Sequence, residues 1–299
     1  MQLNVAIAGY GNLGKSLEKH VLADNDLHLS AVFSRRNIDN KLHASFDDAP
    51  SFAAKTDVVL IALGSLNDIA QNAHFFRQFH TVDSFDVHAE LHEHKQMLNN
   101  LKPQKISLCA VGWDPGVLSI VRGLWSLGGG KTATFWGDGI SQGHSFALRT
   151  IKGVLDAVEI TQPNPTAVEK TLQGDTVAEN LRHNRLCYVA CVESDKQRIE
   201  KEIRTMPNYF AGQNVEIVFC TPAEVRKVKQ QTQHSGRVIA NGQGFCADTK
   251  LRVESNTDYT ANIMLAYAKA VPQLVRDGYK GALSPFDIPL KYVASESLV

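Results

Sequence analysis

The first fourteen residues constrain this chain more than any other stretch. An apolar run, Leu3, Val5, Ala6, Ile7 and Ala8, leads directly into Gly9-Tyr10-Gly11-Asn12-Leu13-Gly14, and beyond it Leu13, Leu17, Val21 and Leu22 recur at helical spacing. Strand, glycine turn and helix in this order make a dinucleotide-binding turn. A side chain on the turn would keep the backbone amides from a pyrophosphate lying at the positive end of the helix dipole. One G-x-G-x-x-G match is a weak signal, and the strand before it and the helix after it give it weight.

A second strand is expected over 27–33, and it runs into Ser34-Arg35-Arg36, with Ser34 twenty positions beyond Gly14. A carboxylate at that distance accepts the ribose 2′-hydroxyl of NAD, whereas arginine accommodates the 2′-phosphate of NADP. One hydroxyl and two guanidiniums therefore point to NADP. Residues 57–63 (DVVLIAL) form an apolar run suited to a strand buried on both faces, ending at Gly64-Ser65. Helices are expected over 66–79 and 89–101 and strands over 81–86 and 106–111, continuing a doubly wound α/β sheet.

Gly112-Trp113-Asp114-Pro115-Gly116 closes this first part and holds a carboxylate where the crevice of such a sheet lies. The texture then changes. Strands over 186–192 and 215–220 separated by a helix over 196–206 suggest an α+β second domain with a mixed or antiparallel sheet. A helix over 258–275 follows, with a bend at Pro272 and a stop at Gly278.

Other signals exclude more than they assign. Lys plus Arg and Asp plus Glu number 31 each in 299 residues, so no net field recruits nucleic acid or an anionic membrane. No leader pattern or membrane-length apolar run is present, and a cytoplasmic chain is expected. Cys109, Cys187, Cys191, Cys220 and Cys246 lack metal or disulfide spacing and are expected to be reduced and mostly buried. His88, His92 and His94 read H-A-E-L-H rather than H-E-x-x-H, so they are taken as surface or helix-start residues and no metal is expected. Gly130-Lys131-Thr132 ends like a phosphate loop, but the first glycine of that pattern falls on Trp125.

Taken together, GYGNLG, SRR, TVDSFDVH, GWDPG, FWGDGISQGHS and RTMPNYF closely resemble the meso-diaminopimelate dehydrogenase family, over nearly the whole chain. The resemblance implies reversible, NADP-dependent oxidative deamination of the D-configured centre of meso-2,6-diaminopimelate. The product, L-2-amino-6-oxopimelate, cyclises to tetrahydrodipicolinate, and in reverse the enzyme fixes ammonia for lysine and diaminopimelate biosynthesis. It also implies a homodimer. The expected division is a Rossmann-type dinucleotide domain over 1–118, rejoined by 258–299, and a substrate-binding and dimerisation domain over 119–257.

Carried over by motif, the cofactor positions are Gly9, Tyr10, Gly11, Asn12, Leu13, Gly14, Ser34, Arg35, Arg36, Gly64, Ser65, Leu66, Asn67, Ser84, Phe85, Asp86, Val111, Gly112, Trp113, Asp114 and Pro115. The substrate positions are Asp86, Asp114, Trp136, Gln142, Gly143, Phe146, Thr161, Arg185, His234 and Asn256, with Asp86 and Asp114 as the catalytic pair. Two carboxylates suit an ammonium and the iminium formed from it, and Arg185 suits a carboxylate. Many members carry aspartate after the SQGHS segment, where this chain has Phe146. The competing readings are another NADP-dependent reductase on the same scaffold, of dihydrodipicolinate reductase or opine type, and a non-catalytic NADP(H) sensor.

Overall fold

The computed structural model describes residues 2–65, 68–101, 104–231 and 233–294. Its strands are β1 (Leu3–Ala8), β2 (Leu27–Phe33), β3 (His43–Ala44), β4 (Val58–Ile61), β5 (His80–Asp83), β6 (Ile106–Leu108), β7 (Lys131–Trp136), β8 (Gly139–Ile140), β9 (Val154–Pro163), β10 (His183–Cys191), β11 (Asn214–Phe219), β12 (His234–Gly242), β13 (Phe245–Val253) and β14 (Gly281–Leu283). The helices are α1 (Asn12–Ala23), α2 (Asp68–Gln71), α3 (His74–Gln78), α4 (Leu91–Leu101), α5 (Val117–Ser126), α6 (Gln142–Thr150), α7 (Pro165–Leu172), α8 (Lys196–Thr205), α9 (Pro222–Gln231) and α10 (Asn256–Arg276). The chain divides into two compact units, one of residues 1–120 and 256–299 and one of residues 121–255. Among the described residues no helix is long and apolar enough to cross a membrane.

The first unit is built on a seven-stranded parallel sheet in the order β14-β6-β5-β4-β1-β2-β3. Alternation along its strands sorts the core into two layers. Val5 and Ile7 of β1 and Val58 and Leu60 of β4 face a cluster containing Leu17 of α1 and Met264, Ala268 and Val271 of α10. Ala6 and Ala8, with Val59 and Ile61, face the opposite layer, which holds Phe33, Phe75, Phe76 and Phe79. Each of these phenylalanines is at most 2% exposed, and burying such a side chain contributes roughly 1.5–3 kcal/mol. Strand order reverses between β1 and β4, so the loops at their carboxyl ends flank the crevice where ligands bind in open α/β sheets.

The second unit has a mixed four-stranded sheet, β11-β10-β9-β8, in which β10 and β11 run parallel and the other pairs antiparallel. An antiparallel three-stranded sheet, β13-β12-β7, accompanies it. Leu148 of α6 and Ile199 and Ile203 of α8 bury against Cys187 and Val189 of β10.

Several local expectations need correction. The helix expected over 66–79 is two short ones, α2 and α3, because Asn72 turns its side chain back onto the Asp68 carbonyl at 2.6 Å. Strand β5 ends at Asp83 and β6 at Leu108, since the residues beyond them fold around the Asp83 carboxylate. The long helix α10 continues through Pro272 to Arg276. Only Cys109 and Cys187 are buried; Cys191 and Cys220 are half-buried and Cys246 is exposed. His94 is no surface residue: it is 5% exposed and its Nε2 lies 2.9 Å from Asp83.

Candidate active site

In the first unit, β1 delivers Gly9 with φ +101°, a conformation that disfavours side chains, and a Cβ there would strike the carbonyl of Ala62. Gly14 is equally closed, since its Cβ would strike the carbonyl of Gly9. Gly11 differs: a Cβ on it meets nothing within 4 Å, and as N-cap of α1 it gives the helix no side-chain cap. No side chain therefore caps the first-turn amides of α1, which leaves them for an anion at the helix N-terminus. Tyr10 donates to Glu18 at 2.5 Å, and Asn40 donates to the other Glu18 oxygen at 2.6 Å, which ties the loop after β2 to α1.

That loop carries the two arginines. The buried Ser34 hydroxyl accepts from the Arg36 amide at 3.2 Å, so its own proton remains to be donated. Arg35 grips Asp68 with both Nη atoms, at 3.0 and 3.2 Å. The Arg36 side chain is exposed and has no partner among the described residues. An open amide cradle beside an uncommitted guanidinium fits a pyrophosphate and a 2′-phosphate. Gly64 is exposed and Ser65 half-buried after β4, while Leu66 and Asn67 lie outside the described residues.

Past β5, Ser84 and Asp86 face outward, whereas Phe85 turns in and stacks on His94 with ring centroids 4.1 Å apart. Phe85 can therefore offer a ligand its backbone only, because its ring closes the core. The Ser65 hydroxyl donates to Asp86 at 2.6 Å. Buried Asp83 accepts from the amides of Phe85 and Ala110, at 3.0 and 2.9 Å, and so holds the chain ends of β5 and β6. Val111 and Pro115 are buried and frame the next loop, which the mutual approach of Gly112 and Gly116 closes. At its tip the Asp114 side chain is 1% exposed and lies 3.9 Å from His88. Trp113 donates its indole N–H to Asn256 at 2.7 Å, which places Asn256, at the start of α10, in this first-unit group.

In the second unit, β9 and β10 place Thr161 opposite Arg185. Arg185 Nη1 donates to the Thr161 hydroxyl at 2.6 Å, and that hydroxyl lies 3.0 Å from both oxygens of Glu159. Arg185 Nε donates to Gln213 at 2.7 Å, and Gln213 in turn is fixed by the Tyr209 carbonyl at 2.6 Å. With Nε committed to Gln213 and one Nη1 proton to Thr161, the remaining Nη protons are those left for a carboxylate. Gly137, φ +107°, passes so close to β9 that a Cβ would strike the Thr161 carbonyl, and its amide donates to Ser235 beside His234 at 2.9 Å. Trp136, Thr161, Arg185 and His234 thus converge around the segment 136–139. The N-terminus of α6 joins through Ser145, which accepts from the Glu159 amide at 2.9 Å, and Gln142, Gly143 and Phe146 occupy its exposed face.

Burial sets the protonation of this group. His183, 3% exposed, accepts from the Trp136 amide at 2.9 Å and stacks on the indole at 5.3 Å; burial, with Arg185 second, pushes its pKa down to about 3. His144 falls to about 4 for the same reasons. Burial likewise lowers His234. Burial raises Glu159 to about 7 against the opposing pull of Arg185. Glu159, His183 and the pairing of His88 with Asp114 were missed by sequence reasoning. An isolated polar residue in an apolar strand, such as Glu159 within AVEIT, was the available signal.

The model of the diaminopimelic acid dehydrogenase C-terminal domain matches residues 112–260. The meso-diaminopimelate D-dehydrogenase of Acetivibrio thermocellus is 38% identical, over 99% of this chain and 95% of its own. The structure of the Corynebacterium glutamicum enzyme in complex with DAP superposes with a TM-score of 0.90 at 35% identity, over 99% of this chain and 97% of the other. An engineered D-amino acid dehydrogenase bound to NADP+ gives 0.86 at 34% identity, over 100% and 98%. This chain belongs to the meso-diaminopimelate D-dehydrogenase family.

Proposed function

We propose that the protein is an NADP-dependent dehydrogenase that deaminates the D-centre of meso-2,6-diaminopimelate, reversibly, to L-2-amino-6-oxopimelate and ammonia, in lysine and diaminopimelate biosynthesis. The observation that carries the substrate assignment is Arg185, a guanidinium 11% exposed whose Nη edge is held ready by Thr161, Glu159 and Gln213. That edge takes the carboxylate of the centre that does not react. Trp136, with its ring fixed by His183, offers the carbon chain a flat wall. Asp86 and Asp114 hold the reacting nitrogen: its ammonium gives up one proton to a carboxylate or to water, the hydride leaves the D-carbon, and water adds to the resulting iminium to give the 2-oxo group and release the nitrogen as ammonium.

The residues around Gly11 and Ser34–Arg36 fit NADP: the α1 amides take the pyrophosphate and Arg36 the 2′-phosphate. When bound, NADP supplies the acceptor for the hydride leaving the D-carbon. The chain's own contribution is orientation, since one stereocentre alone must present its hydrogen at reacting distance. The segments 1–118 with 258–299 and 119–257 serve as cofactor domain and as substrate and dimerisation domain. A cytoplasmic homodimer is the setting, and sedimentation should give twice the mass of the 32.9 kDa chain; a monomer mass would refute it.

Phe146, 54% exposed on α6, replaces the aspartate of many members and removes an electrostatic filter for ammonium, so simple D-amino acids should also react slowly. One ratio tests both assignments: catalytic efficiency on meso-diaminopimelate relative to D-alanine. Arg185→Lys should lower it by about 10- to 100-fold, the worth of one charge-assisted bond of about 1.5–3 kcal/mol. Phe146→Asp should raise it. An unchanged ratio in Arg185→Lys removes the carboxylate role, and proportional losses in Phe146→Asp remove the filter.

A further inference from the structure

Glu159 is 0% exposed and lies directly beneath the Arg185 edge: its Oε1 is 3.6 Å from Nη1, and both its oxygens are 3.0 Å from Thr161 Oγ1. A hydroxyl has one proton to give. Arg185 already donates to Thr161, so that proton goes either inward to Glu159 or outward to a ligand. While Glu159 is ionised it holds the threonine proton, and the Arg185 charge is answered within the protein. A carboxylate arriving at the Nη edge would then place a second anion beside a buried one. If Glu159 carries a proton, it donates to Thr161, the threonine proton turns outward, and the arginine charge is available to the ligand.

We propose that the second carboxylate of the substrate is bound at Arg185 together with one proton, which resides on Glu159 in the loaded site. This rests on reading Arg185 as the carboxylate receptor. The groups packed around Glu159 leave it as the titrating member. Across on β10, Cys187 is buried, with its thiol pushed up by burial. From α6, His144 accepts from Ser141 through Nδ1 at 2.9 Å and donates through Nε2 to the Tyr209 carbonyl at 3.1 Å, as a neutral ring does. His183 accepts through Nε2 and is neutral as well. Burial already lifts the free Glu159 carboxyl to about 7, and a bound carboxylate lifts it further. Affinity for a dicarboxylic substrate therefore falls as pH rises through that value.

The test is calorimetric titration of meso-diaminopimelate into the enzyme–NADPH complex, which cannot turn over, between pH 6 and 9. The wild type should weaken by up to about tenfold per pH unit above neutrality, and should take up protons at pH 7.5 when two buffers of different ionisation heat are compared. Glu159→Gln, a mimic of the protonated side chain, should bind with little pH dependence over this range. A wild-type slope retained in Glu159→Gln, or no proton uptake by the wild type, overturns the proposal; the second readout needs no variant. Arg185→Lys separates the two levels. If it leaves meso-diaminopimelate affinity unchanged, the receptor reading itself fails. If it weakens binding while Glu159→Gln keeps the wild-type slope, only the proton linkage fails.

Discussion

The Gly9–Gly14 turn and the Glu159–Thr161–Arg185 cluster both offer hydrogen-bond donors, by opposite means. The turn uses backbone amides freed by the absence of side chains, and its geometry comes from six consecutive residues. The cluster uses side chains from two strands that meet across an antiparallel register, and a buried carboxylate stands behind them. Backbone donors at a helix end carry a fixed partial charge and cannot titrate. Side-chain donors over a carboxylate can be retuned by one proton. With the roles proposed above, the cofactor side is built for constancy and the substrate side for discrimination.

The largest effect that would break this contrast lies in the glycines. Gly9→Val combines a positive φ with a backbone collision and should destabilise by about 3 kcal/mol or more, lowering the melting midpoint by roughly 5–10 °C. Gly11→Ala points its methyl into open space, so its melting midpoint should stay near wild type while NADP affinity drops tenfold or more. Equal destabilisation by both, or unchanged NADP binding in Gly11→Ala, would show that the turn is purely structural.

Next in size is the paired change Arg35→Ala with Arg36→Ala, expected to cost on the order of 10²-fold in NADP affinity and almost nothing for NAD. Arg36→Ala alone should account for most of it, because Arg35 is committed to Asp68. Fluorescence titration with both cofactors checks this, and equal losses for NAD would refute the 2′-phosphate assignment.

The smallest effect concerns pH. His144 and His183 titrate in the folded chain near 4 and 3, below their unfolded value near 6.5. Their contribution is complete above 6.5 and is lost as pH falls, on the order of 2 kcal/mol each by pH 5. Glu159 acts in the other direction: its folded value, about 7, lies above the unfolded one, so it stabilises relatively as pH falls toward 4.5. The second unit should lose roughly 2 kcal/mol net between pH 6.5 and 5, and more in Glu159→Gln. Hydrogen exchange in peptides of β9 and β10 measures this; protection unaltered by pH would contradict it.

The same contrast explains what could be read from the chain. The strand, turn and helix around Gly9–Gly14 were legible because their determinants are contiguous and periodic, as were β2 and α8. Residues whose role depends on a distant partner were not. His94 looked like a surface residue until Asp83, eleven positions away, closed on it. Glu159 gains its meaning only from Arg185, 26 positions on, and His183 from the Trp136 amide. Phe85 is expected at the ligand from its neighbours in sequence, and its ring, stacked on His94, leaves its backbone alone for that role.

The most direct test is the initial rate of NADPH formation with meso-, D,D- and L,L-diaminopimelate side by side at equal concentration. Two recognised ends, a D-configured amino acid to oxidise and an L-configured one held at Arg185, require meso to be fastest, D,D slower and L,L inert. Turnover of the L,L isomer at a rate comparable to meso, or no turnover of any of the three, would contradict the account.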